Sequence, residues 1–248
     1  QLRGEAATLQ FFSSGQFSNP MVLRIAGLAY QKGFGGHFHN DNSLAIFRDI
    51  PGIILGVPSN GSSAVKMFRH ALKLAYEEKR IVVFIEPIAL YMTKDLHEKN
   101  DGQWSFNYPK HSEEITLGQT IRYGTSKVLT ILSYGNGLYL SLRAKKEIEK
   151  KIDETIQIID LCWLSNIEIN NLLKQIGNCS SVLIVDECRK SGCYGEGLMV
   201  DLLKENKIGL KVDLHAADNS FISLGEGSTS TLPSKSSIIE AAYRLLGV

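Results

Sequence analysis

Short apolar runs alternate with amphipathic stretches along almost the whole chain, and this alternation constrains the fold more than any other feature. Apolar runs of strand length are found at residues 21–26, 53–57, 81–85, 128–134, 156–159, 181–186 and 209–214. Helical patterns are found at residues 65–76, 138–151, 167–176, 195–205 and 236–246. Strands that alternate with helices over short links predict an α/β protein, with parallel sheets covered by helices. Ser59 or Ser62 is predicted to cap the first helix.

The strand–helix pattern breaks once, between Lys94 and Gly124, where residues 97–102 form a polar stretch. We place a domain boundary here and predict two stacked α/β domains with mostly parallel sheets. The first domain is predicted to cover residues 1–112 and the second residues 113–248. Ligands of open parallel sheets bind beyond the carboxyl ends of the strands, so the loops at those ends are the candidate sites.

The composition argues against several classes of protein. The 248 residues carry 27 Lys and Arg against 26 Asp and Glu, a net charge of +1, which gives no broad electrostatic case for nucleic-acid binding. No apolar run approaches the ~18 residues that a membrane-spanning helix needs, so no membrane interaction is predicted. The four cysteines lack CxxC spacing and the first residues lack a secretory signal, so we expect reduced thiols and a cytoplasmic location.

A glycine-rich loop follows the first predicted strand and contains the main candidate site. Gly35 and Gly36 allow a ligand to approach the backbone closely, and His37, His39 and Asn40 follow at once. The alternative interpretation is a flexible turn in which Asn40 or the next residue caps a helix. A metal site at the two histidines is disfavoured, because no third ligand with zinc-like spacing is present.

A second glycine-containing loop, residues 187–195, follows another predicted strand. Its position permits anion binding at the start of the next helix, but a tight strand-to-helix connection is the simpler interpretation. The chain has no GxxxxGK[ST], GxGxxG or GxSxG motif, so nucleotide binding through those loops and a hydrolase nucleophile elbow are excluded. No cysteine has an adjacent base that would mark it as a nucleophile.

Several short motifs occur in a characteristic order. They are residues 11–16 (Phe-Phe-Ser-Ser-Gly-Gln) before Pro20, residues 35–42 (Gly-Gly-His-Phe-His-Asn-Asp-Asn), Pro51-Gly52, Pro58-Ser59, Ile85-Glu86 with Leu90-Tyr91, residues 160–164 (Asp-Leu-Cys-Trp-Leu) and residues 187–195. In these motifs and their order, the chain resembles a known family. This family is the beta subunit, or beta-like half, of the thiamine diphosphate-dependent first component of 2-oxoacid dehydrogenase complexes. The resemblance is to the pyruvate and branched-chain types, within the transketolase-like group, and covers nearly the whole chain.

The resemblance implies a partial pyrimidine-binding domain followed by a transketolase C-terminal-type domain. It implies oxidative decarboxylation of a 2-oxo acid with acyl transfer to lipoamide, using thiamine diphosphate and Mg2+ bound at an interface with other domains. It also implies an alpha-type subunit or N-terminal half as partner, in a homodimer or alpha2beta2-like assembly, and a lipoyl-bearing acyltransferase. By the same resemblance His39, not His37, is the catalytic histidine that faces the reactive carbon and assists acyl transfer.

The sequence also departs from the family pattern. The family's His-Ser-Gln-Ser is His-Asn-Asp-Asn at residues 39–42, and Cys-Trp replaces Arg-Thr at residues 162–163. The family's pyrimidine-activating Glu and its Gly-Asp-Gly diphosphate loop are not found in these residues, so no cofactor-binding residue is assigned. The resemblance thus implies the C-terminal two thirds of a beta-type half, as a subunit or as part of a longer polypeptide. The isolated chain is expected to be inactive, with an open flank on its first sheet.

A structural potassium ion of the family is not expected here. Family members hold it in the turn after the helix that follows Pro-Ser, with an Asp and an Asn, and the matching residues are Glu78 and Arg80. The Arg80 guanidinium would place a fixed positive charge where the ion would sit, and we expect it to satisfy the turn itself.

Two alternatives to this function remain open. A transketolase or deoxyxylulose-phosphate synthase relative would need basic residues for a sugar phosphate, and no convincing cluster of them lies near His39 in the sequence. A non-catalytic association subunit would use both sheets for interface packing and would leave His39 without a chemical role.

Overall fold

The computed structural model describes residues 1–31, 39–205 and 209–248, and it confirms the predicted alternation of strands and helices. The strands are β1 (Met21–Gly27), β2 (Ile53–Gly56), β3 (Ile81–Pro87), β4 (Ile121–Tyr123), β5 (Leu129–Ser133), β6 (Gln157–Asp160), β7 (Ser181–Arg189) and β8 (Lys211–Ala217). The helices are α1 (Leu9–Phe12), α2 (Ala45–Arg48), α3 (Gly61–Tyr76), α4 (Gly135–Ile152), α5 (Ile169–Ile176), α6 (Tyr194–Lys204) and α7 (Lys235–Leu246).

The described strands form two sheets. The first has the order β1-β3-β2 and is parallel throughout, and the second has the order β4-β6-β5-β7-β8. In the second sheet β4 runs antiparallel to β6, while the other described pairs are parallel. The prediction missed β4, because its three residues lie in the stretch without periodicity. The α/β class with mostly parallel sheets is therefore confirmed, while the domain boundary at residues 112–113 stays a prediction.

A continuous apolar core joins the two sheets. One cluster of buried side chains contains Leu55 and Val83 from the first sheet and Leu132 and Ile184 from the second. Burial of each such side chain contributes about 1.5–3 kcal/mol to folding. The loop that follows β1 contacts the end of β7 beside this core. The shared core therefore fixes the relative positions of the two candidate loops.

The start of α3 differs from the prediction. Asn60, not Ser59 or Ser62, is the N-cap: its side chain accepts the N–H of Ser63 at 2.9 Å, and the Ser63 hydroxyl accepts the N–H of Asn60 at 3.1 Å. This reciprocal pair is a capping box, which satisfies backbone donors that the helix itself leaves unpaired. Ser59 accepts the N–H of Gly135 at 2.8 Å instead, and so links the first sheet to the start of α4.

The two edges of the first sheet are covered differently. The segment after β6 closes the outer edge of β2: the Val57 N–H donates to the Cys162 carbonyl, and the Leu164 N–H donates to the Leu55 carbonyl, both at 2.8 Å. β1 forms the opposite edge, and most of its residues are exposed or half-buried. Among the described strands β1 pairs only with β3, so this edge is the flank that the sequence predicts to be open.

The polar stretch of residues 97–102 is an ordered loop built around Asp101. The Asp101 carboxylate accepts four backbone N–H groups, from Leu96, His97, Glu98 and Gln103, at 2.7–3.0 Å. These local bonds replace the helix or sheet ladder, which explains the loss of periodicity here. Among the described residues no helix is both long and apolar enough to cross a membrane.

Candidate functional site

The loop after β1 presents the predicted histidine at an exposed position. His39 is exposed, whereas Asn40 is 4% exposed. Gln31 bonds to both residues: its Nε2 donates to the His39 carbonyl at 2.8 Å, and its backbone N–H donates to Asn40 Oδ1 at 3.4 Å. These bonds hold the backbone of His39 against the end of β1, while the residue itself remains open to solvent.

Four other residues were predicted for this site, and the structure describes one of them, Asn40. Three of them, Gly35, Gly36 and His37, lie outside the described residues. Neither Asn40 nor Asp41 caps the next described helix, because α2 begins after Leu44 without a side-chain cap, so the capping part of that interpretation was wrong. In the described part no group of three His, Cys, Asp or Glu residues has the arrangement to hold a metal ion. The catalytic role of His39 stays a prediction.

The structure brings the two predicted loops into direct contact. Asn42 is 1% exposed; its Nδ2 donates to the Glu187 carbonyl at 2.6 Å, and its Oδ1 accepts from Arg189 Nη1 at 2.8 Å. Arg189 also forms a salt bridge with Asp41 at 3.4 Å and donates to the Ser43 hydroxyl. Residues 41–43 are thus held by the end of β7.

The buried carboxylate of Glu187 connects the two sheets at their interface, which we call the seam; the contact joins the segment after β1 to the end of β7 and the start of α4. Glu187 is 1% exposed, and its Oε2 accepts the N–H of Ala29, just after β1, at 3.3 Å. Its two oxygens also accept from Asn136 Nδ2 at 3.2 and 3.0 Å, at the start of α4. Burial raises the pKa of Glu187 to about 7. Since its oxygens are engaged inside the protein, this carboxyl group holds the seam together and is not open to a ligand.

The second glycine loop uses its amides internally. Asp186 accepts the N–H of Gly195 at 2.8 Å and the hydroxyl of Tyr134 at 2.5 Å. Glu196 accepts the N–H of Gly192 at 2.6 Å. Carboxylates of the chain therefore occupy the positions that a bound anion would take. The tight strand-to-helix connection is the interpretation that these contacts support.

The four cysteines all lie in the described residues, where they are buried and form no disulfide. Burial raises the pKa of Cys193 to about 12 and also raises the pKa of the Cys162 and Cys188 thiols. A thiol whose thiolate form is disfavoured is a poor nucleophile. These pKa shifts agree with the lack of a nucleophile signal in the sequence.

Asp160, at the end of β6, is a second buried carboxylate. Its Oδ1 accepts the N–H of Cys162 at 3.2 Å, and its Oδ2 has no hydrogen-bond partner among the described residues. Burial raises the pKa of Asp160 from 3.8 to about 7. The folded protein therefore keeps a proton on this group at a pH where the unfolded chain has released it.

We expect this group to make the protein less stable as the pH rises. Its stabilisation is complete below the unfolded pKa near 4 and is lost as the pH rises through the folded pKa of about 7. Between pH 5 and 8 the Asp160→Asn variant should lose about 2–3 kcal/mol of the pH dependence of the free energy of unfolding. Urea unfolding at several pH values measures this change. Asp153→Asn, at an exposed carboxylate, is the control, and an unchanged slope in Asp160→Asn would contradict the assignment.

A groove that sequence reasoning missed lies at the carboxyl ends of β2 and β3. Its volume is about 580 Å³, and its walls include Phe68 and Phe84. Within it the Glu86 carboxylate accepts from Arg24 Nε at 2.5 Å and from the Tyr91 hydroxyl at 2.6 Å. The hydrogen bond from Arg24 lowers the pKa of Glu86. This carboxylate therefore stays ionised, its charge is balanced by the guanidinium, and it is a weak base. The sequence feature that could have indicated this groove is Glu86, a carboxylate directly after the apolar run of residues 81–85.

The turn after α3, for which no potassium ion is expected, uses its carbonyl oxygens internally. Lys79 Nζ donates to the Tyr76 carbonyl at 2.7 Å, and the Arg80 N–H donates to the Leu74 carbonyl at 3.0 Å. The side chain that satisfies the turn is thus Lys79 and not the Arg80 guanidinium, which corrects that expectation. The absence of potassium stays a prediction.

Comparison with known sequences extends these observations. Residues 118–215 match the family described as Transketolase, C-terminal domain. The chain is 24% identical to the pyruvate dehydrogenase E1 component subunit beta of Staphylococcus epidermidis, in an alignment that covers 99% of this chain and 71% of that subunit. It is 27% identical to the mitochondrial 2-oxoisovalerate dehydrogenase subunit beta of Dictyostelium discoideum, over 77% of this chain and 48% of that subunit.

Solved structures show the same fold. A split-gene transketolase, described as an inactive beta4 tetramer, superposes with a TM-score of 0.68 at 18% identity, over 91% of this chain and 66% of that chain. The transketolase of Campylobacter jejuni superposes with a TM-score of 0.60 at 15% identity, over 90% of this chain and 31% of that chain. At these identities the likeness concerns the fold alone.

The fold and the matches define the class of this protein. It is an α/β protein with the fold of the transketolases, and its residues 118–215 match the transketolase C-terminal domain family. The predicted resemblance to beta subunits of pyruvate and branched-chain 2-oxoacid dehydrogenases is confirmed, at 22–27% identity.

Proposed function

We propose that this chain is the beta-type part of a thiamine diphosphate-dependent 2-oxoacid dehydrogenase. The observation that most strongly supports this proposal is the similarity to a pyruvate dehydrogenase beta subunit over 99% of the chain. The name of a second relative specifies 2-oxoisovalerate, so the substrate class is pyruvate or a branched-chain 2-oxo acid. The reaction is oxidative decarboxylation with transfer of the acyl group to a lipoyl-bearing acyltransferase.

The described residues fit one part of a thiamine diphosphate site. His39 is exposed and lies on the segment that follows β1, and ligands of parallel sheets bind beyond the carboxyl ends of the strands. In the described part no group of three His, Cys, Asp or Glu residues is arranged to hold a metal ion, and the buried carboxylate of Glu187 is engaged internally. The metal and diphosphate contacts are therefore assigned to a partner chain or domain.

His39 is the group of this chain that would act on the bound intermediate. Thiamine diphosphate, when bound, supplies the carbanion-stabilising chemistry. An imidazole N–H can donate a hydrogen bond to a developing alkoxide, and the ring can transfer that proton. Its fixed backbone and exposed position suit a group that must meet a substrate arriving from a facing chain.

An alpha-type subunit or N-terminal half is the partner that this proposal requires. The assembly would be a homodimer or an alpha2beta2-like tetramer, with the active site between chains. Most residues of β1 are exposed or half-buried, and His39 is exposed, which supports a contact with such a partner.

Reconstitution with an alpha-type subunit from the same source tests the proposal. We expect a stable complex by size-exclusion chromatography, and stoichiometric binding of thiamine diphosphate with Mg2+ by calorimetry. A complex that transfers ketol groups between sugar phosphates and does not act on 2-oxo acids would favour the transketolase alternative. If the complex forms and its turnover is unchanged when His39 is replaced, the result would favour the non-catalytic association subunit. Failure to form any complex would contradict the proposed function.

A further inference from the structure

We propose that Asn42 and Arg189 are positioning residues that set the active geometry of His39, a proposal that rests on the function proposed above. Neither residue carries the chemistry itself. Both belong to the contact between the loop after β1 and the end of β7. The sequence patterns did not predict this contact.

The Asn42 amide is the centre of this contact. It is 1% exposed, its Nδ2 donates to the Glu187 carbonyl at 2.6 Å, and its Oδ1 accepts from Arg189 at 2.8 Å. A primary amide has a donor end and an acceptor end, and both ends are used by residues two positions apart on β7. This arrangement fixes the orientation of the amide, and with it the backbone three residues after His39.

The Arg189 guanidinium extends the contact to the neighbours of Asn42. It reaches Asp41 Oδ1 at 3.4 Å and donates to the Ser43 hydroxyl, so one planar group contacts three consecutive residues. Lysine cannot reproduce this, because its ammonium is a single charged point without the fork of the guanidinium. The side chain is 27% exposed, so solvent screens the pair with Asp41, and the bond to buried Asn42 is the more specific part.

Gln31 completes the support from the opposite direction. Its Nε2 donates to the carbonyls of Leu28 and His39, at 3.1 and 2.8 Å. The His39 carbonyl is thus held by Gln31, four residues after β1, and residues 41–43 are held by the end of β7 in the second sheet. The imidazole keeps its position only while both sheets hold this segment, which couples its geometry to the packing of the two sheets.

A double-mutant cycle in the reconstituted complex tests the proposal. Arg189→Lys and Asn42→Asp should each lower kcat about 10-fold or more while changing KM for the 2-oxo acid less than about twofold. In a His39→Ala background the same substitutions should change kcat less than about twofold, because they act through the missing imidazole. Lys190→Ala removes an exposed charge next to Arg189 and is the control that should leave kcat unchanged. Equal effects in both backgrounds would overturn the proposal.

A second measurement on the 248-residue chain alone keeps the proposal testable if the complex shows no activity. The NMR signals of the His39 ring and the exchange protection of the amides at 41–43 should change in Arg189→Lys but not in Lys190→Ala, at unchanged melting temperature. An unaltered His39 signal would overturn the positioning role. Altered signals in a chain that forms no active complex would instead support the positioning role and count against the proposed function.

Discussion

Replacing His39 by alanine is expected to lower acyl transfer by the assembled enzyme about 100-fold or more. This is the loss typical of removing a group that transfers a proton or donates a hydrogen bond in the transition state. His39 is exposed, so the substitution leaves no buried cavity and the protein should keep its melting temperature. The rate is measured with the reconstituted complex, a 2-oxo acid and a lipoyl domain.

His37→Ala is the matched control for this variant. It removes an imidazole two positions away in the sequence, and the resemblance assigns the chemistry to His39 alone. Equal losses in the two variants would show that the loop histidines act together or only structurally. No loss in His39→Ala would remove the catalytic assignment and favour the non-catalytic association subunit.

Replacing Trp163 by alanine is expected to lower the free energy of unfolding by about 3–5 kcal/mol, the range for truncating a buried aromatic residue. Trp163 is 0% exposed, and its Nε1 donates to the Ile115 carbonyl at 3.1 Å. Its ring lies directly against Gly56 in β2, where a Cβ atom would be 2.7 Å from the ring. The indole therefore fills the space beside the outer edge of the first sheet, in the position where the family has a Thr.

Gly56→Ala gives a second route to the same contact. A methyl group cannot fit against the buried indole without displacement, so this variant should cost about 1–3 kcal/mol. In the Trp163→Ala background the added methyl group meets a cavity, and most of that cost should disappear. Phe221→Ala is the control, since Phe221 is 88% exposed and its truncation should change stability by less than about 0.5 kcal/mol. Additive costs at Gly56 and Trp163 would contradict the proposed packing.

The sequence predicted the regular elements well because each has a local signature. The buried strands β5 and β7 are runs of apolar residues, and α3 repeats its apolar residues at steps of three and four. The errors also have local causes. The three residues of β4 are too few to show a period. The N-cap of α3 was misplaced by one or two residues, because Ser59, Asn60 and Ser62 are all suitable capping residues and the sequence alone does not choose between them.

The candidate site was predicted only in part, because its support comes from distant contacts. The sequence identified His39 through a family motif and marked residues 187–195 as a glycine loop. It did not indicate that Asn42 meets Arg189, since these residues are separated by 147 positions. The bond from Ala29 to Glu187 spans 158 positions and was likewise invisible. Periodicity reports which face of an element is buried, whereas side-chain pairing across two sheets depends on the assembled fold.

The most direct test of the proposed function is the rate of 2-oxo acid decarboxylation by three preparations: this chain, the alpha-type subunit, and their mixture. Each is assayed with thiamine diphosphate, Mg2+, and pyruvate or a branched-chain 2-oxo acid. If the active site lies between the two chains, only the mixture turns over, because each chain alone then supplies only part of that site. Turnover by this chain alone would contradict that account, and so would a mixture that acts on none of these 2-oxo acids.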